Sequence, residues 1–184
     1  MNNSSFIIYI GWLGLSDQKV AEVFFKHTYY TIIINLKRIK MNIFEAIRKD
    51  HDIQRDLLEK LIKTSGDTKQ RDEIFQSLKK ELQVHADAEE RHYYKPLIDS
   101  DMMQDKARHG IAEHHEIDEL IEKLEETDYD SSAWLKTAKD LKHKVEHHLE
   151  DEEQKFFQLS GKVLNESQKT SLATDYNSYM SSHR

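Results

Sequence analysis

The sequence predicts an all-α protein: an up-down-up-down four-helix bundle with an additional C-terminal helix and an N-terminal extension. Three observations lead there. The 184 residues include five glycines and one proline, so helix breakers are scarce, and 33% of the chain is charged, with Glu and Lys common. From Met41 onward apolar residues recur at three- and four-residue spacing, the period of amphipathic helices. A shift of 63 residues also lays the first two such segments on the next two without an insertion. Short breaks between long helices favour antiparallel neighbours, hence the bundle.

The first forty residues, "MNNSSFIIYIGWLGLSDQKVAEVFFKHTYYTIIINLKRIK", differ from the rest. They are apolar and β-branched, and carry five Lys/Arg against two Asp/Glu, whereas residues 41–184 carry 22 against 32. The run Phe6–Leu15 is too short to span a bilayer and lacks the basic start of a signal peptide. Tyr29–Leu36 reads as a strand or a helix continuation. Met41 opens a helical pattern directly, so residues 1–40 are read as an N-terminal extension and Met41 as an alternative start.

In the first helix, about 42–64, Phe44, Ile47, His51, Leu58 and Ile62 share a face. "TSGDT" breaks it, with Gly66 as the stop and Asp67 or Thr68 as the next N-cap. The second helix, about 68–98, lines up Ile74, Leu78, Leu82, His85, Glu89 and Tyr93, and Pro96 stops or kinks its end. After "DSD" the third, about 102–127, aligns His114, Ile117, Ile121 and Leu124. After "TDYDSS", with Ser131 or Ser132 as N-cap, the fourth runs about 132–160 and aligns Trp134, Ala138, Leu141, Val145, His148, Glu152, Phe156 and Leu159. Gly161 is expected to end it. A weaker helix, about 166–180, follows the cap candidate Asn165. The bundle is thus assigned to residues 41–160 and a helical tail to 161–184.

Composition narrows the function. With no cysteine there are no disulfides, thiolate metal sites or thiol chemistry. The acidic body has no basic stripe, which argues against a nucleic-acid partner. No membrane partner and a cytoplasmic location are expected. No nucleophile motif or phosphate loop is present.

The chemistry lies in the repeat. "ELQVHADAEERHYY" (81–94) and "KVEHHLEDEEQKFF" (144–157) both contain His-x-x-x-Glu-Glu followed by paired aromatics. Under the 63-residue shift His51 falls on His114, His85 on His148, Glu89-Glu90 on Glu152-Glu153, and Tyr93-Tyr94 on Phe156-Phe157. His85 with Glu89, and His148 with Glu152, interrupt apolar stripes, and residues four apart share a helix face. A buried carboxylate needs compensation, and a dication supplies it. One His from each of four helices and one Glu from two of them suit a pair of carboxylate-bridged ions, with Fe, Zn, Mn or Cu matched by ligand softness. "EHH" at 113–115 offers His114 or His115; the repeat and the apolar stripe select His114. At 146–148 they select His148 over His147, and His143 with His147 reads as a solvated pair. Glu90, Glu153, Arg91 and Lys155 read as a solvated face. His92 reads as a surface residue at the bundle end, with an extra ligand as the alternative.

"RKDHDIQRDLLEKL", "HADAEERHYYKPL", "EHHEIDELIEKL" and "HHLEDEEQKFFQL" together resemble the hemerythrin family, in its His-His-Glu cation-binding branch. The resemblance covers about residues 41–160. It implies an oxo- and carboxylate-bridged non-haem di-iron centre, with Zn or Mn as lesser alternatives. By motif its metal ligands are His51, His85, Glu89, His114, His148 and Glu152, with Glu89 and Glu152 as bridges. Dioxygen-carrying members place a second His one turn after the third-helix ligand; that position is Asp118 here, which tells against reversible oxygen carriage. The ferritin-type pattern of Glu-x-x-His on two helices is not met. The expected role is binding of, or reaction with, dioxygen, nitric oxide or peroxide, as a sensor or redox scavenger. Iron sensing or storage, and a metal-stabilised helical interaction module, are the alternatives. Any enzymatic activity would be di-iron redox chemistry on dioxygen or peroxide.

Overall fold

A computed structural model describes residues 41–184; the readings made for residues 1–40 lie outside the described residues. Among the described residues the chain is all-helical and has no strand. No helix of the described residues is long and apolar enough to cross a membrane.

Helix α1 spans Ile43–Ile62. Asn42 caps it with a reciprocal box: its side chain accepts from the Glu45 amide (3.0 Å), and its own amide donates to Glu45 Oε2 (2.9 Å). Gly66 turns the chain with a φ of 68°, which glycine alone adopts without strain. Of the two cap candidates, Thr68 begins α2, Lys69–Glu89. The same rod continues through a π-helical turn, π1 (Glu90–Tyr94), into the short α3, Lys95–Leu97, which holds Pro96. Helix α4 is Gln104–Glu125, and Ser131 caps α5, Ser132–Asp151. A second π turn, π2 (Glu152–Phe156), leads into α6, Phe157–Val163. Asn165 then forms a capping box for α7, Glu166–His183.

The second and fourth helices are therefore not the unbroken α-helices the sequence suggested. Each opens into a π turn at or directly after its inward glutamate. Proline is not the general cause, because π2 has none. The paired aromatics supply a reason. Successive residues of an α-helix point about 100° apart, so both members of such a pair cannot face the core well. A wider turn brings both inward, and Tyr93, Tyr94, Phe156 and Phe157 are all at most 4% exposed. Gly161 does not end the fourth helix either. The chain stays helical through Val163, and the stop is the extended Leu164, whose buried side chain packs back on the core just before the Asn165 cap.

Helix α1 packs against α2, α5 and α7; α4 packs against α5 and also meets α2. The apolar core forms two clusters. One contains Leu58, Leu78, Leu82, Ile117, Ile121, Trp134, Leu141 and Val145. The other contains Ile47, Ala88, Tyr93, Tyr94, Phe156, Phe157 and Tyr176. His51 lies between Ile47 and Leu58 in sequence, and His85 between Leu82 and Ala88, so the polar residues fall between the clusters. Buried Arg71 closes the far end: its guanidinium stacks on Trp134 at 4.5 Å and donates to Thr64 and to the Tyr129 carbonyl.

Two glycines make a test of this packing. A methyl group at Gly110 would come within 2.8 Å of the Tyr94 hydroxyl and 2.9 Å of its ring, whereas at Gly161 the nearest atoms, on Phe44, are 3.8 Å away. Gly110→Ala should destabilise the protein by about 1–3 kcal/mol through overpacking. Gly161→Ala should stabilise it by about 0.5–1 kcal/mol through helix propensity. Denaturant titration of the two variants measures both.

Candidate metal centre

His51 on α1, His85 and Glu89 on α2, His114 on α4, His148 at the end of α5 and Glu152 in π2 are all buried, none more than 5% exposed. Two groups of converging donor atoms result. His51, His85 and Glu89 form one, and Glu89, His114 and His148 form the other; within each group the donor atoms lie within 4.8 Å of one another. Glu89 belongs to both. Its Oε1 lies 3.2 Å from His85 Nε2 and 3.8 Å from His51 Nε2, while its Oε2 lies 3.4 Å from His114 Nε2. Glu152 Oε2 lies 3.2 Å from His51 Nε2, and Glu152 Oε1 accepts a hydrogen bond from the Tyr94 hydroxyl at 3.0 Å.

The imidazoles are oriented from behind. His51 Nδ1 donates to Glu153 (2.8 Å), His114 Nδ1 to Glu90 (2.9 Å) and His148 Nδ1 to Glu113 (3.0 Å). Carboxylates only accept, so each of these Nδ1 atoms carries hydrogen. The Tyr176 hydroxyl donates to Asp50 at 2.8 Å and therefore accepts from His85 Nδ1 at 2.7 Å. Every ring thus turns Nε2 toward the interior, the arrangement in which an outer acceptor fixes the tautomer of a ligating histidine.

These outer partners correct the sequence reading in two places. Glu90 and Glu153 are not a solvated face: they lean in to hold His114 and His51, and Glu153 also takes a 2.8 Å bond from Arg55. Arg91 and Lys155, read with them, are indeed exposed. Glu113, Asp50 and Tyr176 had not been singled out. Tyr176 sits on α7, and Arg184, after the same helix, pairs with Asp50 and Glu81. The 63-residue repeat ends before α7, so it carried no signal for that contact. His115 and His143 are exposed, and His147 is 57% exposed with Nδ1 3.6 Å from Glu113. His92 packs against the Tyr179 ring, centroids 5.5 Å apart, away from the two donor groups. Asp118 lines a cleft together with His85, His114 and His148.

The electrostatics describe a site short of positive charge. Burial pushes the Glu152 carboxyl up to about 7, reinforced by Glu89 beside it. Burial alone would do the same to Glu89, but His85, His114 and His51 outweigh it and hold that carboxyl well below the usual range. For His114, burial is outweighed by Glu89 and Glu90, which raise it to about 9; burial dominates at His148 and lowers it to about 4. The 3.2 Å contact between His114 Nε2 and His148 Nε2 agrees, since two facing lone pairs need one proton between them. Burial is likewise outweighed at His51, which Glu152, Glu153 and Glu89 hold well above its ordinary value.

Several buried atoms nonetheless lack any hydrogen-bond partner: His51 Nε2, His85 Nε2, Glu89 Oε1 and Glu152 Oε2. Such atoms are costly inside a protein. Three of them belong to the first converging group, and the fourth, Glu152 Oε2, lies 3.2 Å from His51 Nε2; all are nitrogen or oxygen donors. A cation beside His51, His85 and Glu89 would satisfy three of them at once, so the residues present fit a metal.

A helical protein with a buried histidine–carboxylate layer of this kind belongs to the class of helical cation-binding proteins. More specifically, residues 42–160 match the model of the hemerythrin HHE cation-binding domain, and the chain belongs to that family. Comparisons with curated proteins and with solved structures returned no match. The family match ends before Tyr176 and Arg184.

Two predictions follow from the geometry. Tyr176→Phe removes the acceptor for His85 Nδ1 and should weaken divalent-metal binding about tenfold while the fold persists; titration calorimetry measures it. The raised groups set the pH dependence. Glu152 at about 7 and His114 at about 9 hold protons near neutrality, which a cation must displace. Metal loading near pH 7 should therefore acidify a weakly buffered solution, and affinity should rise with pH up to about 9, as an indicator-dye titration will show.

Proposed function

We propose that the protein is a non-haem di-iron protein that binds or reacts with dioxygen, nitric oxide or peroxide, as a sensor or redox scavenger. The observation that carries this reading is Glu89, whose Oε1 faces His51 and His85 and whose Oε2 faces His114, beside which His148 converges. His51 and His85 would hold one iron and His114 and His148 the other, with Glu89 and Glu152 between them, in an up-down-up-down bundle. Iron is preferred to zinc or manganese through the resemblance of the motifs; imidazole and carboxylate donors suit all three. A bound iron pair supplies redox activity and open positions for a small ligand.

The chain's own residues would do the rest. Glu153, Tyr176, Glu90 and Glu113 hold the imidazoles in one tautomer, and the Tyr94 hydroxyl fixes Glu152. The apolar clusters on either side bury the layer. Asp118 stands where oxygen carriers of this family have histidine. A carboxylate there is a harder ligand that favours the ferric state, and without it a position is left open; neither suits a durable carrier.

The test is metal analysis and a visible spectrum of protein purified without oxygen. Two iron ions per chain are expected, with a ferric absorption on exposure to air that persists when oxygen is withdrawn. A band that appears and fades over repeated oxygen cycles would instead establish a carrier. Replacing His148 by Ala should remove most of the bound iron and lower the melting temperature, because binding to the native state stabilises it. His115→Ala should be much milder than His114→Ala; equal losses of iron would show that the wrong member of the pair had been chosen.

A further inference from the structure

Helix α7 lies on α1, α2 and π1, yet of its 18 residues only Ala173, Tyr176 and Met180 are buried. Its hold on the bundle is concentrated in a few polar contacts. The Tyr176 hydroxyl accepts from His85 Nδ1 at 2.7 Å and donates to Asp50 Oδ2 at 2.8 Å. Arg184, directly after α7, donates from Nη2 to Asp50 Oδ1 at 2.5 Å and from Nε to Glu81 Oε2 at 2.8 Å. Asp50 and Glu81 are both buried, and Arg184 is the one cation that pairs with either among the described residues. Tyr176 and Arg184 lie outside the family match at 42–160.

One line of contacts thus runs from Arg184 through Asp50 and Tyr176 to His85. A buried carboxylate is costly without its cation, so Arg184 holds Asp50 in place. Asp50 takes the Tyr176 hydrogen, which leaves the hydroxyl oxygen to accept from His85. The other side of the His85 ring is unsupported: Nε2 is buried without a hydrogen-bond partner. A ring bonded at one nitrogen and orphaned at the other gains by turning toward a new partner, and turning breaks the bond to Tyr176. A cation on Nε2 fixes the ring from both sides. Docked α7 and a bound cation therefore favour the same orientation of His85.

We propose that α7 is a strap whose docking is coupled to occupation of the metal centre, with Arg184 and Asp50 as the positioning residues that carry the coupling to Tyr176. This rests on the metal-centre reading and adds a means of regulation to it. Coupling of this kind is reciprocal: a docked α7 tightens cation binding, and a bound cation holds α7 down by the same factor. The loss expected for Tyr176→Phe sets that factor at about ten. Emptying the centre loosens α7, and its buried Tyr176 and Met180 then become available to a partner or a protease.

Ferrous iron under inert gas is the probe, used on the full chain. Amide hydrogen exchange across residues 166–183 should slow about tenfold when Fe(II) saturates the unaltered chain. In Tyr176→Phe that slowing should shrink to within about twofold. Arg184→Gln should raise the Fe(II) Kd about fivefold in the unaltered background. In the Tyr176→Phe background it should add less than about twofold, because the line of contacts is already cut. Arg184→Lys, which keeps the charge, should recover part of the loss. Exchange of α7 that ignores bound Fe(II) overturns the proposal, requires no variant, and leaves the metal centre standing. Equal losses from Arg184→Gln in both backgrounds also overturn it, by showing that Arg184 merely fastens the helix to the bundle. If the unaltered chain takes up no Fe(II), the metal-centre reading falls and this one falls with it.

Discussion

Two carboxylates are buried side by side in this protein, and much of the structure answers to that constraint. Glu89 and Glu152 sit between two apolar clusters where water cannot solvate them. Ionised carboxylates in such surroundings need compensating positive charge or they take up protons. Four imidazoles from four helices are brought to the same level and supply it in part. The shortfall shows in Glu152, pushed up to about 7, and in the donor atoms left without partners. A dication removes both costs together.

That arrangement would be loose without the groups behind it. Each ring is held at Nδ1 by a different partner: Glu153, Tyr176, Glu90 and Glu113. Three of the four are carboxylates at the margin of the layer, positions that look like ordinary solvated acids. Their charge serves twice, fixing ring orientation and strengthening the basicity of the inward nitrogen. The fourth comes from α7, so the C-terminal helix is part of the site's support as well as a cover for the core.

The π turns connect backbone geometry to the same layer. One begins immediately after Glu89 and the other at Glu152, and each lets two consecutive aromatics enter the core. Tyr94 is thereby placed flat against the His114 ring with its hydroxyl on Glu152. Gly110 supplies the room for that ring, since a side chain there would collide with it. Single π turns inside α-helices are often found at functional sites; here the paired aromatics give the turn a packing reason as well.

Much of this was legible in the chain alone. Helical period located the elements, and caps such as Thr68, Ser131 and Asn165 could be narrowed to one or two residues because capping is local chemistry. The 63-residue repeat separated inward His114 and His148 from the exposed His115 and His147, because periodicity reports which face a residue occupies. It could not report what that residue touches. Glu90 and Glu153 were read as solvated because their partners lie on other helices, and Tyr176 was passed over because its contact with His85 spans 91 positions. The helix end misplaced at Gly161 and the unforeseen π turns have the same origin: packing of Leu164 and of the aromatic pairs overrode local preference. Local sequence determined the helices and the faces they present; the tertiary structure decided which carboxylate stands behind which imidazole, because such pairings depend on distances between elements that no single segment encodes.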